Sequence, residues 1–173
     1  RSTEAPLSLL ALDTSTDRLS IAVGRWPAGA AARGEAPRTW AFEGPGAAHS
    51  SSTLLPSLLR LLGEAGCTLR ELDAVAFGAG PGSFTGLRTA CSVAQGLAWG
   101  AGVPVLPIDT LLVVAEAARS AHGATHVLAL LDARMNEVYA AEYAWRDAAG
   151  WRPLSEIAVL APEAVPTPGA GAV

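Results

Sequence analysis

Three short stretches carry groups that could do chemistry. The first is Gly78-Ala79-Gly80-Pro81-Gly82-Ser83-Phe84-Thr85-Gly86-Leu87-Arg88. The apolar run Ala74-Val75-Ala76-Phe77 leads into it, and a helical pattern, Arg88 to Gly100, leads out. A strand that stops in glycines and restarts as a helix converges backbone N–H groups on one point, which is the physical basis of a phosphate cradle. The same glycines let a helix approach a sheet closely. A Walker loop needs Gly-Lys-Ser/Thr, and all 12 basic residues of this chain are arginine. A dinucleotide fingerprint needs glycine at its first, third and sixth positions, but the sixth from Gly78 is Ser83. The loop therefore reads first as a packing device. Its second reading is a contact, through Gly80 and Gly82, with a nucleotide shared with a partner.

The second stretch is Asp13-Thr14-Ser15, short polar side chains after an apolar run. A carboxylate with hydroxyls suits hydrated Mg²⁺, whereas the plainer reading is a hairpin Asx-turn. The third is Asp132-Ala133-Arg134-Met135-Asn136, where Asp132, Arg134 and Glu137 could form a substrate contact or an Asp–Arg pair that holds a turn. His122 and His126 have the i, i+4 spacing of a helical metal site, but Gly123 lies between them and Val127 starts a strand. Ser83 lacks the Gly-x-Ser-x-Gly of a nucleophile elbow. His49 precedes a helix and reads as a cap or surface contact. No residue is assigned a catalytic or metal-binding role.

These stretches need elements to position them. Leu7–Asp13 and Leu19–Val23 read as a hairpin, and Thr39–Phe42 as a third strand. A helix runs to about Glu64, with Gly66 as its C-cap and Pro56 expected near its start. Asp73–Phe77 is a fourth strand, Arg88–Gly100 a second helix, and Val103–Asp109 a fifth strand whose prolines imply an edge. Thr110 is then expected to cap a helix to about Ala121, followed by strands at Val127–Leu131, Glu137–Trp145 and Ile157–Leu160, and a helix opened by Pro162-Glu163. An antiparallel meander followed by βαβα is the α/β layout of a ribonuclease H-like lobe, which occurs doubled in the actin and Hsp70 ATPases. The expected division is a complete first lobe over residues 1–108 and a second, truncated lobe over 109–173.

Of 173 residues, 50% are hydrophobic and 16% charged, so the chain can form a core. Its formal net charge of −4 announces no basic face for nucleic acid. Two cysteines without CxxC spacing, no signal peptide and no membrane-length apolar run lead to the expectation of a cytoplasmic protein. The two long helices carry more apolar or small surface than one sheet face can cover. Part of it can bury between the helices themselves. The rest, Leu55, Leu59, Leu62, Arg88, Ser92, Gln95 and Trp99, would suit a helical interface.

Four blocks occur in order: Ala11 to Thr16, His49-Ser50 with Leu54-Leu55-Pro56, Gly78 to Arg88, and Asp132 to Tyr139. Together they resemble the TsaB family of bacterial tRNA threonylcarbamoyladenosine synthesis, over Leu7 to about Glu163. The resemblance implies an actin-like ATPase fold without catalysis of its own. It also implies pairing with the catalytic paralogue TsaD through the two long helices, which can alternatively pair in a homodimer. It further implies an ATPase subunit, TsaE, and tRNA met indirectly through the complex. In the paralogue two metal-binding histidines follow the fifth strand; the matching Ile108–Val113 has none. The resemblance implies no cofactor of the chain's own. ATP or ADP with Mg²⁺ at the partner interface would fall near Asp13, Thr14, Ser15, Gly80 and Gly82. The family continues into a further helix-rich segment, hence the expectation of a truncated second lobe. The alternatives are an autonomous ATPase or kinase of the same fold and a metallopeptidase.

Overall fold

A computed structural model describes residues 5–46, 50–147 and 149–166. Two compact units are present: one runs to Ala79 and includes Ser83–Pro107, and the other includes Gly80–Gly82 and the chain from Ile108.

The first unit contains β1 (Leu7–Asp13), β2 (Arg18–Trp26), β3 (Arg38–Pro45), α1 (Ser50–Glu64), β4 (Ala74–Gly80), α2 (Phe84–Ala101) and β5 (Val105–Asp109) at its boundary. The sheet order is β3-β2-β1-β4-β5, with β1–β2 and β2–β3 antiparallel and β1–β4 parallel. This is the ribonuclease H-like order of the actin-type ATPase fold. Register aligns the apolar alternation: Leu10 lies opposite Val23 and Val75, and Leu12 opposite Ile21 and Phe77. Leu54, Leu58, Leu61 and Leu62 of α1 and Ala90, Ala94 and Ala98 of α2 join these residues in one core. Each fully buried leucine contributes about 1.5–3 kcal/mol. The alanines, four residues apart on one face of α2, let that helix approach closely.

Several elements depart from the expectations. β4 does not stop at Phe77 but continues through Gly78-Ala79-Gly80, and α2 begins at Phe84 rather than Arg88. Backbone pairing tolerates small residues, and Ser83 supplies the N-cap, its Oγ accepting from the Gly86 N–H at 3.4 Å. Pro56 lies inside α1 instead of its first turn. At the other end of α1, Gly66 has φ 59°, and Arg25 Nη1 donates to the carbonyls of Ala65 and Gly66 at 2.8 and 3.1 Å. Those bonds satisfy acceptors that the helix end leaves open.

The second unit contains α3 (Thr110–His122), β6 (His126–Arg134), β7 (Glu137–Arg146), β8 (Gly150–Pro153) and β9 (Ala158–Leu160). β7 pairs with β6, β8 and β9, all antiparallel. Leu111 and Ala115 of α3 pack with Val127, Ala129, Ala141 and Tyr143. Asp109, not Thr110, caps α3: its carboxylate accepts from the Leu111 N–H at 2.8 Å and from the Tyr143 hydroxyl. Burial and this hydrogen bond push the Tyr143 hydroxyl above its ordinary pKa, so it remains a donor. β8 is an additional strand, and Pro162–Ala164 forms only one 3-10 turn. No helix among the described residues is long and apolar enough to cross a membrane.

Candidate functional site

The Asp13-Thr14-Ser15 turn and the start of α2 form one joint. Thr14 Oγ1 donates to the Gly86 carbonyl at 2.6 Å, and the Ser83 N–H donates to the Ser15 carbonyl at 2.6 Å. Asp13 Oδ1 accepts from the Ser15 N–H at 2.9 Å and the Ser15 hydroxyl at 2.6 Å, an Asx-turn. Two glycines make the approach possible. A Cβ on Gly86 would lie 1.8 Å from the Thr14 carbonyl oxygen, and one on Gly78 would lie 1.7 Å from Asp13 Oδ2. Both hydroxyls are buried and hold the joint. The Thr14 hydroxyl is engaged with the Gly86 carbonyl, and the Ser15 hydroxyl with Asp13 Oδ1. Gly80 and Gly82 flank Pro81 in the connection to Ser83, and Gly80 has φ 109°, which only glycine adopts without strain.

Of the remaining polar candidates, His126, Asp132 and Arg134 have local partners. His122 ends α3, Gly123 follows with φ 69°, and His126 begins β6, so the two histidines do not share a helical face. His126 Nε2 pairs with the Glu142 carboxylate. No group of three or more His, Cys, Asp or Glu among the described residues could hold a metal ion. Burial pushes the Cys67 thiol above its ordinary pKa. Asp132 Oδ1 accepts from the Arg134 N–H at 2.8 Å, while their charged ends stand 3.9 Å apart. His49 lies outside the described residues.

The helix faces are less self-contained. Leu55 and Leu59 are exposed on α1, as are Arg88, Ser92, Gln95 and Trp99 on α2. Trp99 is 91% exposed. Leu62 does not belong to this set: at 4% exposure it lies in the core beside Leu58 and Leu61. Its position seven residues after Leu55 suggested a shared ridge, but the core covers that flank of α1. Phe84, which sequence reasoning passed over, is exposed at the first position of α2 under the Arg88 guanidinium, 3.7 Å from the ring centroid. The i, i+4 spacing of Phe84 and Arg88 carried that signal. Phe84, Arg88, Ser92, Gln95 and Trp99 follow one stripe along α2. Shallow grooves flank the stripe, one reaching Gly96 and Val103–Val105.

The family model described as TsaD: tRNA N6-adenosine threonylcarbamoyltransferase matches residues 45–151, which include both helices. A tRNA threonylcarbamoyladenosine biosynthesis protein TsaB of Haemophilus influenzae is 47% identical over 133 residues, 77% of this chain and 52% of that relative. The protein of the same name from Escherichia coli is 40% identical over 159 residues, 92% of this chain and 64% of its own length. The chain thus spans between half and two thirds of these curated relatives. The solved structure of YeaZ from Pseudomonas aeruginosa matches with a TM-score of 0.81 at 40% identity, over 94% of this chain and 71% of that one.

Proposed function

The chain belongs to the TsaB (YeaZ) family, and from that premise we propose that it is a non-catalytic partner subunit. In this reading it binds and activates the TsaD catalytic subunit during threonylcarbamoyl transfer to the tRNA adenosine next to the anticodon. The observation that carries the reading is the contrast between its two conspicuous surfaces. At the turn-and-glycine joint, Asp13, Thr14 and Ser15 bond one another and α2. Along α1 and α2, by contrast, Leu55, Leu59, Phe84 and Trp99 face solvent, the composition of an interface core with Arg88, Ser92 and Gln95 among it.

The mechanism is one of positioning. A helix stripe ending in an exposed tryptophan offers the partner a large rigid anchor, and the small residues beside it, Gly96 and Gly100, let a facing helix come close. Threonylcarbamoyl chemistry, and any ATP or ADP with Mg²⁺, belongs in this reading to the partner's side of the interface. A TsaE ATPase joins the assembly, tRNA is met through the complex, and the same helix face serves a homodimer when the transferase is absent.

The test is isothermal titration of purified TsaD with wild-type chain and with Leu59→Glu and Gln95→Glu. A charge buried in the interface should weaken binding about a hundredfold, while each variant melts as wild type does. Affinity unchanged in both variants moves the interface elsewhere. ATP turnover by the lone chain that falls on Asp13→Ala would overturn the non-catalytic assignment.

A further inference from the structure

The stripe on α2 is only as well placed as the helix that carries it. The buried residues of α2 are Ala90, Ala94 and Ala98, with Cys91, Val93 and Leu97 partly buried against the same core. Alanines at every fourth position bring the helix close to its sheet, but they form no tall ridge to lock into a groove. Such a seat fixes the distance of the helix more firmly than its roll. Roll matters for the exposed stripe that begins at Phe84 and Arg88. A helix with its side chains is about 10–12 Å across, so a roll of about 10° carries a side-chain tip about 1 Å sideways. A binding surface needs its groups held to within about 0.5 Å.

The first turn of α2 is held more stiffly. Thr14, at 1% exposure, donates its hydroxyl to the Gly86 carbonyl at 2.6 Å. One residue on, the Ser15 carbonyl accepts from the Ser83 N–H at 2.6 Å. These bonds grip the helix at its N-cap and at its third residue, and Gly86, lacking a Cβ, lets the helix backbone sit against the Thr14 carbonyl. By helix geometry the Gly86 carbonyl also faces the Ala90 N–H, so that carbonyl does not depend on Thr14 for a partner. A valine has the same shape as threonine and would need no acceptor. What the hydroxyl adds is direction. Phe84 and Arg88, its guanidinium 3.7 Å from the ring centroid, project from the turn that Thr14 holds.

We propose that Thr14 is a positioning residue for partner binding. Its hydroxyl sets the roll of the first turn of α2, and with it the direction in which Phe84 and Arg88 meet the partner. Thr14 itself is buried and offers the partner no surface. Asp13 keeps the turn rigid by accepting from both the N–H and the hydroxyl of Ser15. The inference rests on the subunit reading above, in which the partner is TsaD. It gives the Asp13-Thr14-Ser15 turn a part in assembly that needs no nucleotide. Removing the hydroxyl leaves the alanine seat in place and frees the roll, so the loss falls on affinity in a chain that still folds.

The test titrates purified TsaD with the full chain and three variants, at a temperature where circular dichroism shows each to be folded. Thr14→Val keeps the shape and removes the donor; its affinity should fall about tenfold while its melting temperature drops by about 2–4 °C. Thr14→Ser keeps the donor and loses a methyl, so it should bind within about twofold of wild type. Val23→Ala weakens the buried sheet away from α2; it should melt below wild type and bind as wild type does. If wild-type chain does not bind, both the subunit reading and the role of Thr14 are overturned. If wild type binds and Thr14→Val binds equally well, the role of Thr14 alone is overturned. Val23→Ala binding as weakly as Thr14→Val would show that lost stability is the cause, which also overturns it. So would Thr14→Ser losing about tenfold, a result that stands even if Thr14→Val fails to fold.

Discussion

Gly86 and Gly78 are both required by close neighbours, but the neighbours differ in kind. A Cβ at Gly86 meets the Thr14 carbonyl, main chain held in place at the end of β1; a Cβ at Gly78 meets the far end of the Asp13 side chain. Gly86→Ala must shift backbone and should cost about 3 kcal/mol or more, whereas Gly78→Ala can turn Asp13 aside at about 1–2 kcal/mol for its lost bonds. Urea unfolding of the two variants orders them, and equal losses would mean that the joint yields as easily at its backbone as at a side chain. Each half of this joint was legible as a motif, the Asp13-Thr14-Ser15 turn and the glycine run. Their clasp was not, because the bond from Thr14 to Gly86 spans 72 residues and no local pattern encodes it. Leu62 misled for a related reason: spacing places it on a ridge with Leu55, but only the packed sheet decides which flank of a helix is covered.

Among elements, the attachment of α3 to its sheet turns on Glu116. Its carboxylate accepts from Arg119 Nε and Nη2 at 2.8 and 2.7 Å and from Trp151 Nε1 at 2.8 Å. Arg119 also lies 4.2 Å over the Trp145 ring, and Trp145 meets Trp151 edge-on at 5.6 Å. The Arg119 hydrogen bond, with smaller help from Trp151, holds the Glu116 carboxyl down to about 2, against the opposing effect of burial. A carboxylate whose folded pKa is depressed stabilises the fold above its unfolded value of 4.5 and loses that contribution as pH falls toward about 2. Because the side chain is 42% exposed, solvent screening leaves about 1 kcal/mol of it at neutral pH. Glu116→Gln should therefore lower stability at pH 7 by about that amount and narrow the gap to wild type between pH 4.5 and 2, read by denaturant unfolding across that range. A constant gap across it would show that the contact works by shape alone. This cluster was invisible in the sequence because it depends on β8, a four-residue strand without alternation to reveal it. Of the strands with a clean alternation, β7 was legible to within one residue of its end, whereas β2 runs three residues beyond the expected Val23, to Trp26.

For the molecule as a whole, charge decides what it can meet directly. Twelve arginines face 16 acidic residues, and several of the arginines are already engaged. Arg18, Arg33, Arg60 and Arg119 pair with Glu43, Glu35, Glu64 and Glu116. Arg25 caps α1, while Arg38 and Arg88 lie over Trp40 and Phe84. Affinity for nucleic acid grows with the number of phosphates that cations neutralise, and a net negative surface opposes each one. The lone chain should accordingly show no saturable tRNA binding in a filter assay at about 0.15 M salt, where the Debye length is about 8 Å. Its addition to the transferase should leave the slope of log affinity against log salt unchanged, because it contributes no phosphate contacts. Saturable binding by the lone chain, or a slope that steepens when it joins, would place tRNA on this subunit and require a basic path that its paired arginines do not supply.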